Sequence, residues 1–278
     1  MQLDLFRIRV FLPNQDDFFR RNLSRGQLIR EAVGSKPTAP VWYGVHWHIG
    51  NVEVIDETGV YCALGRTTRG RIPVIDQRSG DFVEQEFDSA PYTHVLLDLE
   101  LEVCAIARKT SLAPTTSAIA RHLGRVLMSS PTVGASGVSF DVSEISDPEQ
   151  FLAELKRAYA ISFFKVTLKR PNPFDINADF LGPLSKAIEE ADGETGEAAI
   201  KGKALDPVPL EELTRSAAST GDNAAARMYL QNQRRSVYRS LRGDTASISA
   251  DALDDQDDRH AALDAVRARY KGIRKPKE

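Results

Sequence analysis

The sequence predicts an α+β protein with a strand-rich, antiparallel N-terminal part and a mainly helical C-terminal part. Apolar and polar residues alternate with a period of two over residues 3–12, as expected for a strand. Further short apolar runs, separated by turn residues, continue to residue 109, whereas helix-forming and charged segments dominate after residue 171. With 278 residues and 42% apolar composition, the chain is long enough to bury a sizeable core.

The first predicted strand covers residues 3–12 and ends at Pro13. Its two faces carry Phe6, Ile8 and Val10 on one side and Leu5, Arg7 and Arg9 on the other. A helix is predicted next, from the polar residues 14–17 to Val33, and Gly34 and Pro37 end it. The apolar positions of this helix are Phe18, Phe19, Leu23 and Ile29.

An antiparallel meander is predicted for the segment that follows. Its strands are residues 41–54, 59–65, 71–75, 82–87 and 93–109. After it come a helix at 116–129, a strand at 138–142, a helix at 148–159 and a strand at 161–169. Together with the last meander strand, this alternation could form a ferredoxin-like or split βαβ unit.

A domain boundary is predicted at Pro171-Asn172-Pro173, because each proline restricts the residue before it to extended conformations. The chain is thereby divided into a sheet domain at 1–170, a hinge with short helices at 171–221 and a charged helical region at 222–278. Residues 222–242 are predicted as a helix of about five turns, since they are rich in good helix formers. A hairpin over the same residues is the alternative.

Composition restricts the location and the partners of the protein. A net charge of -3 gives no overall attraction to nucleic acid or acidic membranes, so such binding requires a local patch. Cys62 and Cys104 lie in apolar runs and are interpreted as small buried side chains in a reducing compartment. Without an apolar leader or a long apolar window, a cytoplasmic location and no membrane partner are expected. No cofactor is predicted.

Basic and aromatic residues are concentrated near the predicted helix at 222–242, which favours an anion-binding face. In a helix, the arginines would fall within an arc of about 140°, with apolar residues on a separate stripe. Arginine matches phosphate and tyrosine can stack on a base, so a nucleic-acid or phosphate contact is predicted. The alternative is a solvated face whose charge the acidic run at 251–258 neutralises. The candidate residues are Arg227, Arg234, Arg235, Tyr238, Arg239 and Arg242.

A second basic segment, residues 65–71, is flanked by glycines and carries Arg66, Arg69 and Arg71. Its side chains and backbone amides could hold a phosphate, although it lacks the spacing of a P-loop or a dinucleotide turn. The alternative is a hairpin loop without a function.

The carboxylates Asp98, Glu100 and Glu102 alternate with apolar residues and would share one face of the strand predicted at 93–109. A divalent metal could relieve their mutual repulsion, which would make a metal-dependent hydrolase or nuclease conceivable. The alternative is that these residues form the solvent-exposed face of a half-buried strand.

His46 and His48 flank Trp47 and would share a strand face as a metal-ligand pair. Zinc requires at least one further protein ligand, which the sequence does not place, so a structural or exposed pair is the alternative.

The overall layout is a strand-rich half, the Pro171-Asn172-Pro173 hinge and a charged C-terminal half without an enzyme signature. In this layout the chain resembles uncharacterised accessory proteins of bacterial defence islands. The resemblance implies a binding role.

Three functions are therefore carried forward as hypotheses. The first is a non-enzymatic protein that contacts nucleic acid or a protein partner through the basic C-terminal face. The second is the metal-dependent hydrolase or nuclease. The third is a structural subunit of a larger complex or a homo-oligomer, docked through an apolar sheet edge.

Overall fold

A computed structural model describes residues 1–12, 23–42, 44–134, 137–169, 181–231, 233, 235–241 and 243–275. The strands are β1 (Gln2–Phe11), β2 (Thr38–Trp42), β3 (Val45–Val54), β4 (Gly59–Arg66), β5 (Thr68–Ile75), β6 (Phe82–Ser89), β7 (Tyr92–Asp98), β8 (Val103–Ala107), β9 (Ser139–Glu144), β10 (Ala158–Lys169), β11 (Thr195–Lys201), β12 (Asn223–Leu230), β13 (Val237–Ser240) and β14 (Ser247–Ser249). The helices are α1 (Arg25–Gly34), α2 (Thr116–Met128), α3 (Pro131–Gly134), α4 (Glu149–Arg157), α5 (Leu181–Glu190), α6 (Pro207–Thr220) and α7 (Gln256–Arg274). The predicted α+β class is confirmed.

The first sheet is antiparallel and has eight strands. Its order is β14-β1-β8-β7-β4-β3-β2, and β9 lies beside β1 further along the same edge as β14. Because side chains alternate along β1, Phe6 and Ile8 enter a core with α1 and α2, whereas Leu3 and Leu5 enter a core with α6 and α7. Helices therefore cover both faces of this sheet.

The second sheet is antiparallel and has the order β11-β10-β12-β13. Its inner face, which includes Phe164, Val166 and Met228, packs in the same core as α6 and α7. The molecule is thus layered as helices, first sheet, helices and second sheet. The outer face of the second sheet is open to solvent, as the exposed side chains along β11 show.

Among the described strands, β5 and β6 pair only with each other and form a projecting two-stranded arm, residues 68–89. The arm is unusual in exposing large apolar side chains, and Phe82 at its tip is 77% exposed. Its other exposed apolar side chains are Ile72, Ile75, Val83 and Phe87.

The helix predicted over residues 222–242 is wrong. The chain forms β12 and β13 instead, which was the alternative left open. Along β12, the inward side chains Ala224, Ala226 and Met228 follow a period of two, and all three are buried. Burial against α4 and α6 thus outweighs the intrinsic helix propensity of this segment.

The long strand predicted at 93–109 is also wrong. It is a hairpin, in which β7 and β8 are joined by a turn at residues 99–102. Asp98 ends β7 and accepts hydrogen bonds from the backbone amides of Glu100 (3.1 Å) and Leu101 (2.8 Å). This side-chain cap of the turn explains why the strand stops there.

The ferredoxin-like alternative is only partly realised. β8, α2 and β9 form a split βαβ unit, in which β1 lies between β8 and β9 and is antiparallel to both. The next strand, β10, joins the second sheet rather than the first.

The two sheets do not follow the three predicted segments of the chain. β10 pairs with β12 from the last segment, and β14 pairs with β1 in the first sheet. The Pro171-Asn172-Pro173 hinge lies outside the described residues, as do Phe18 and Phe19 of the first predicted helix.

Arg7 and Arg9 of β1 point into the interior between the two sheets, and each is 1% exposed. Arg7 donates to Glu102 (3.2 Å) and to the hydroxyl of Tyr270 (3.2 Å). Arg9 donates to the Asp222 carboxylate and to a backbone carbonyl, both at 2.7 Å. Because Asp222 also accepts from the amide at the end of β10 (2.9 Å), Arg9 ties the first sheet to the second.

Cys62 and Cys104 are buried free thiols, as predicted. Burial raises the pKa of Cys62 to about 12, so this thiol stays protonated at neutral pH. In the part of the chain that the structure describes, no helix is long and apolar enough to cross a membrane.

Candidate nucleic-acid interface

The outer face of the second sheet brings exposed aromatic rings and cations together. We call this surface the aromatic face. One row across its four strands consists of Lys201, Phe163, Arg227 and Tyr238, which are neighbours in the strand registers. Further members of the aromatic face are Tyr159, Lys165 and Tyr229.

Strand alternation explains why these side chains face outward. Phe164 and Ala226 lie one position from Phe163 and Arg227, and both are buried in the core. Since successive side chains point to opposite faces, Phe163 and Arg227 point to solvent. Register shifts in β10 between Ala158 and Ala160 and between Ile161 and Phe163 mark bulges beside this row. Bulges of this kind commonly re-aim side chains near functional surfaces.

Two tyrosines of the aromatic face are well exposed, and the third, Tyr229, is partly buried. Tyr159 is 62% exposed and Tyr238 is 51% exposed. The rings of Tyr159 and Tyr229 are neighbours, with centroids 5.8 Å apart and planes tilted by 41°. Rings that are large, exposed and rigidly carried on strands are suited to stacking on planar ligands.

The charges of the aromatic face are mostly positive. Lys165 donates to Glu197 at 2.8 Å, and this hydrogen bond raises the pKa of Lys165. Within the described residues, neither Arg227 nor Lys201 forms an ion pair. Two cations therefore remain uncompensated beside the rings, which favours an anionic ligand.

The structure separates the residues predicted for the C-terminal basic face. Arg227 and Tyr238 are cross-strand neighbours on the aromatic face, and Arg235 is exposed between β12 and β13. Arg239 follows Tyr238 directly, so it lies on the opposite side of the sheet, where it pairs with Glu154 at 2.9 Å. Arg234 and Arg242 lie outside the described residues. The common helical arc does not exist, because the segment is a hairpin.

The arginines of the 65–71 segment are also separated. Arg71 pairs across the arm with Glu84 (3.4 Å) and Glu86 (3.1 Å). Arg69 lies 3.8 Å from Asp88. Arg66, at the end of β4, donates to the backbone carbonyl of Ser111 at 3.2 Å and stands apart from the arm. Acidic cross-strand neighbours thus neutralise the two arm arginines.

The three candidate carboxylates do not share a strand face, so this expectation is wrong. Asp98 accepts from Arg267 at 2.6 Å, and Glu102 accepts from Arg7. Glu100 is exposed in the turn between them. Asp98 and Glu102 are each paired with an arginine of their own. No metal ion is therefore required to offset repulsion between these two carboxylates.

His46 and His48 do lie close together, with ring centroids 6.3 Å apart. His48 shares a hydrogen bond with Thr38 (2.8 Å), and burial followed by the charge of His46 lowers the pKa of His48. Among the residues that the structure describes, no three His, Cys, Asp or Glu side chains group in a way that could hold a metal ion. Within that part of the chain, the two histidines have no third ligand of the kind that zinc requires.

Several residues of the aromatic face were missed by sequence reasoning. Tyr159 and Phe163 were assigned to a helix end and a strand without a site role, and Lys201 lies in a strand that was not predicted. In β10, Phe163, Lys165 and Thr167 alternate with buried apolar residues. This pattern in the sequence could have predicted the solvent-exposed face.

Comparison of the sequence with protein-family models and with curated proteins finds no match. The resemblance to accessory proteins of bacterial defence islands therefore stays a prediction.

Proposed function

We propose that this protein binds single-stranded nucleic acid on the aromatic face and that its role is non-enzymatic. The observation that carries the proposal is the row of exposed rings and uncompensated cations across one open sheet face. Four-stranded sheets that present aromatic side chains in this way are a recurrent means of binding unpaired bases.

The rings supply the base contacts. Every base has a flat π-face, so stacking on Tyr159, Tyr229 or Tyr238 tolerates any sequence, at about 1–3 kcal/mol per base. Lys201 and Tyr238 lie on the two outer strands of the sheet, three strand spacings apart. At roughly 4.8 Å per spacing, the distance between these strands is about 14 Å. A face of this width accommodates two or three stacked bases. Duplex bases are already stacked on each other, so duplexes should bind more weakly.

The cations supply the phosphate contacts. The chain carries a net charge of -3, so attraction to a polyanion must come from a local surface such as Arg227 and Lys201. Each neutralised phosphate releases counterions, and log K falls with log salt by about 0.7 for each phosphate of a single strand. Binding at the aromatic face should thus weaken steeply with salt.

Fluorescence anisotropy with labelled single-stranded RNA, single-stranded DNA and duplex DNA at two salt concentrations tests the proposal. We expect salt-sensitive binding to the single strands and a preference over the duplex. The double substitution Tyr159→Ala with Tyr238→Ala should weaken that binding by at least about tenfold. Tyr92→Ala is the matched control, because Tyr92 is 47% exposed but lies on the first sheet.

The proposal fails if the unmodified protein does not bind single strands at low salt. It fails equally if the double substitution and Tyr92→Ala have the same effect, because the tyrosines of the aromatic face would then have no special role.

A second candidate function is self-association through the arm. One face of the arm carries Ile72, Val83 and Phe87, whereas ion-paired arginines occupy the other. Isolated two-stranded hairpins are marginally stable in water, so a second copy packed on the apolar face would stabilise the arm. Light scattering should give a dimer mass that Phe87→Asp reduces to that of a monomer. A monomeric unmodified protein would contradict this candidate.

A further inference from the structure

Arg66 and the helix α2 meet on the opposite side of the first sheet from the second sheet. Arg66 is the register partner of Trp47 in β3, so both side chains point to the same side of the sheet. On that side, the Trp47 ring stacks on the ring of His122 in α2, with centroids 4.2 Å apart and planes 14° apart. The sheet residue Arg66 and the helix residue His122 thus lie beside the same indole.

Both Arg66 and His122 carry buried polar atoms that have no hydrogen-bond partner among the residues that the structure describes. These atoms are Nε of Arg66 and Nδ1 of His122. Buried polar atoms are satisfied in the great majority of cases, and leaving one unsatisfied costs about 1–3 kcal/mol. The Arg66 side chain donates a hydrogen bond to a backbone carbonyl, at Ser111. The guanidinium therefore has no carboxylate partner among the described residues.

Two further arginines of α2 add to this positive charge. Arg121 and Arg125 are one helical turn apart and exposed, and neither forms an ion pair within the described residues. The pKa of His122 is lowered mainly by burial and then by the charges of Arg125, Arg121 and Arg66. Three like charges around a partly buried imidazole repel one another, and a bound anion would remove that repulsion.

We propose that Arg66, Arg121, His122 and Arg125 form a binding site for a phosphate group, which we call the phosphate cluster. Arginine forks match phosphate oxygens in bidentate geometry, and the imidazole offers a further donor once it is protonated. The cluster and the aromatic face belong to different layers of the molecule. The two proposals are therefore independent.

The phosphate group could belong to a small molecule or to a nucleic-acid backbone, and one titration separates these sources. The ring signal of His122 is followed by NMR and assigned by its absence in His122→Asn. Inorganic phosphate, a mononucleotide and a single-stranded oligonucleotide are added in turn. Chloride at matched ionic strength is the reference, because added salt alone screens the surrounding charges and so changes the pKa of His122.

We expect inorganic phosphate, but not chloride, to raise the pKa of His122, since a bound anion offsets the surrounding cations. The double substitution Arg121→Ala with Arg125→Ala should weaken phosphate binding by about tenfold. Alanine is the better helix former at these exposed positions, so α2 should stay folded. Arg71→Ala is the control, because two glutamates already neutralise that arginine.

A response to the oligonucleotide alone would assign the phosphate group to a nucleic-acid backbone. A response to inorganic phosphate or the mononucleotide would assign it to a small molecule. The proposal is overturned if none of the three probes shifts the His122 signal beyond the chloride reference. It is also overturned if the double substitution binds phosphate as tightly as the Arg71→Ala control.

Discussion

Arginine occurs in two opposite environments in the two sheets. Arg7 and Arg9 of the first sheet are buried and bound to carboxylates, whereas Arg227 of the second sheet is exposed and forms no ion pair within the described residues. The buried arginines cannot reach a ligand, and their role is structural: Arg9 ties the first sheet to the second through Asp222, whereas Arg7 binds Glu102 and Tyr270 of α7. The exposed arginine contributes little to stability and is available for binding. Substitutions at the two kinds of site should therefore affect different measurements.

Replacing Arg9 should have the largest effect. Arg9→Met removes the cation that faces Asp222, whose carboxylate is fully buried, and we expect a loss of about 3–5 kcal/mol in the free energy of unfolding. Urea unfolding measures this loss. Adding Asp222→Asn should restore part of it, because the charge left in the interior is removed as well. A loss below about 1 kcal/mol for Arg9→Met would contradict the assigned tie between the sheets.

Replacing Arg267 of α7 should have the second-largest effect on the free energy of unfolding. Arg267 donates to Asp98 (2.6 Å) and to both oxygens of Asp56 (2.8 and 3.0 Å). This cluster is partly exposed, so we expect Arg267→Ala to cost about 2–3 kcal/mol. Urea unfolding at neutral pH measures the cost. A value equal to that of an exposed arginine such as Arg227 would show that the cluster is not structural.

The same cluster should make the free energy of unfolding depend on pH in the acidic range. The Arg267 hydrogen bonds, with further help from backbone amides, hold the pKa of Asp56 well below its usual range, although burial opposes this. The ionised carboxylate therefore adds stability that is present above the unfolded pKa of about 4 and is lost as pH falls below it. In Arg267→Ala this acid-dependent loss should shrink. Unfolding free energies from pH 3 to 7 test the point, and an unchanged profile would argue against it.

Substitutions on the aromatic face should affect binding and leave stability unchanged. Tyr159→Ala alone should lower the affinity for a single-stranded oligonucleotide by about 1–3 kcal/mol. Its unfolding free energy should stay within about 0.5 kcal/mol of the unmodified protein, because the ring is mostly exposed. If Tyr159→Ala instead destabilises the fold and spares binding, the distinction between the two sheets is wrong.

Arg227→Ala should have the smallest effect. It removes one phosphate contact of a single strand, so the slope of log K against log salt should become shallower by about 0.7. Arg239→Ala is the matched control, since Arg239 lies one strand away on the opposite face and pairs with Glu154. The two variants should differ in salt dependence, and equal slopes would count against Arg227 as a contact.

Local sequence patterns predicted much of the fold. The alternation of β1, the α+β class and the helices α2 and α4 could be predicted from the sequence because each has a regular apolar period or clear end signals. Arg7 and Arg9 were correctly placed on one strand face. That this face is buried depends on α7 and on Asp222, which are distant in sequence and contribute nothing to a local pattern.

The candidate site was harder to predict. Arg227 and Tyr238 were chosen by residue type, and a helix was assumed for a segment whose alanines favour one in isolation. The aromatic face is assembled from β10, β11, β12 and β13, which lie far apart along the chain. Phe163 and Lys201 meet only through strand register, and one sequence does not give register between distant strands.

Photocrosslinking of a single-stranded oligonucleotide, followed by mass spectrometry of the linked peptides, tests whether the aromatic face binds single strands. Stacked bases lie against the rings that hold them, so we expect adducts in peptides that contain Tyr159, Phe163, Tyr229 or Tyr238. Salt should suppress these adducts together with binding. Adducts confined to the arm or to the first sheet, with none on the second sheet, would contradict binding at the aromatic face.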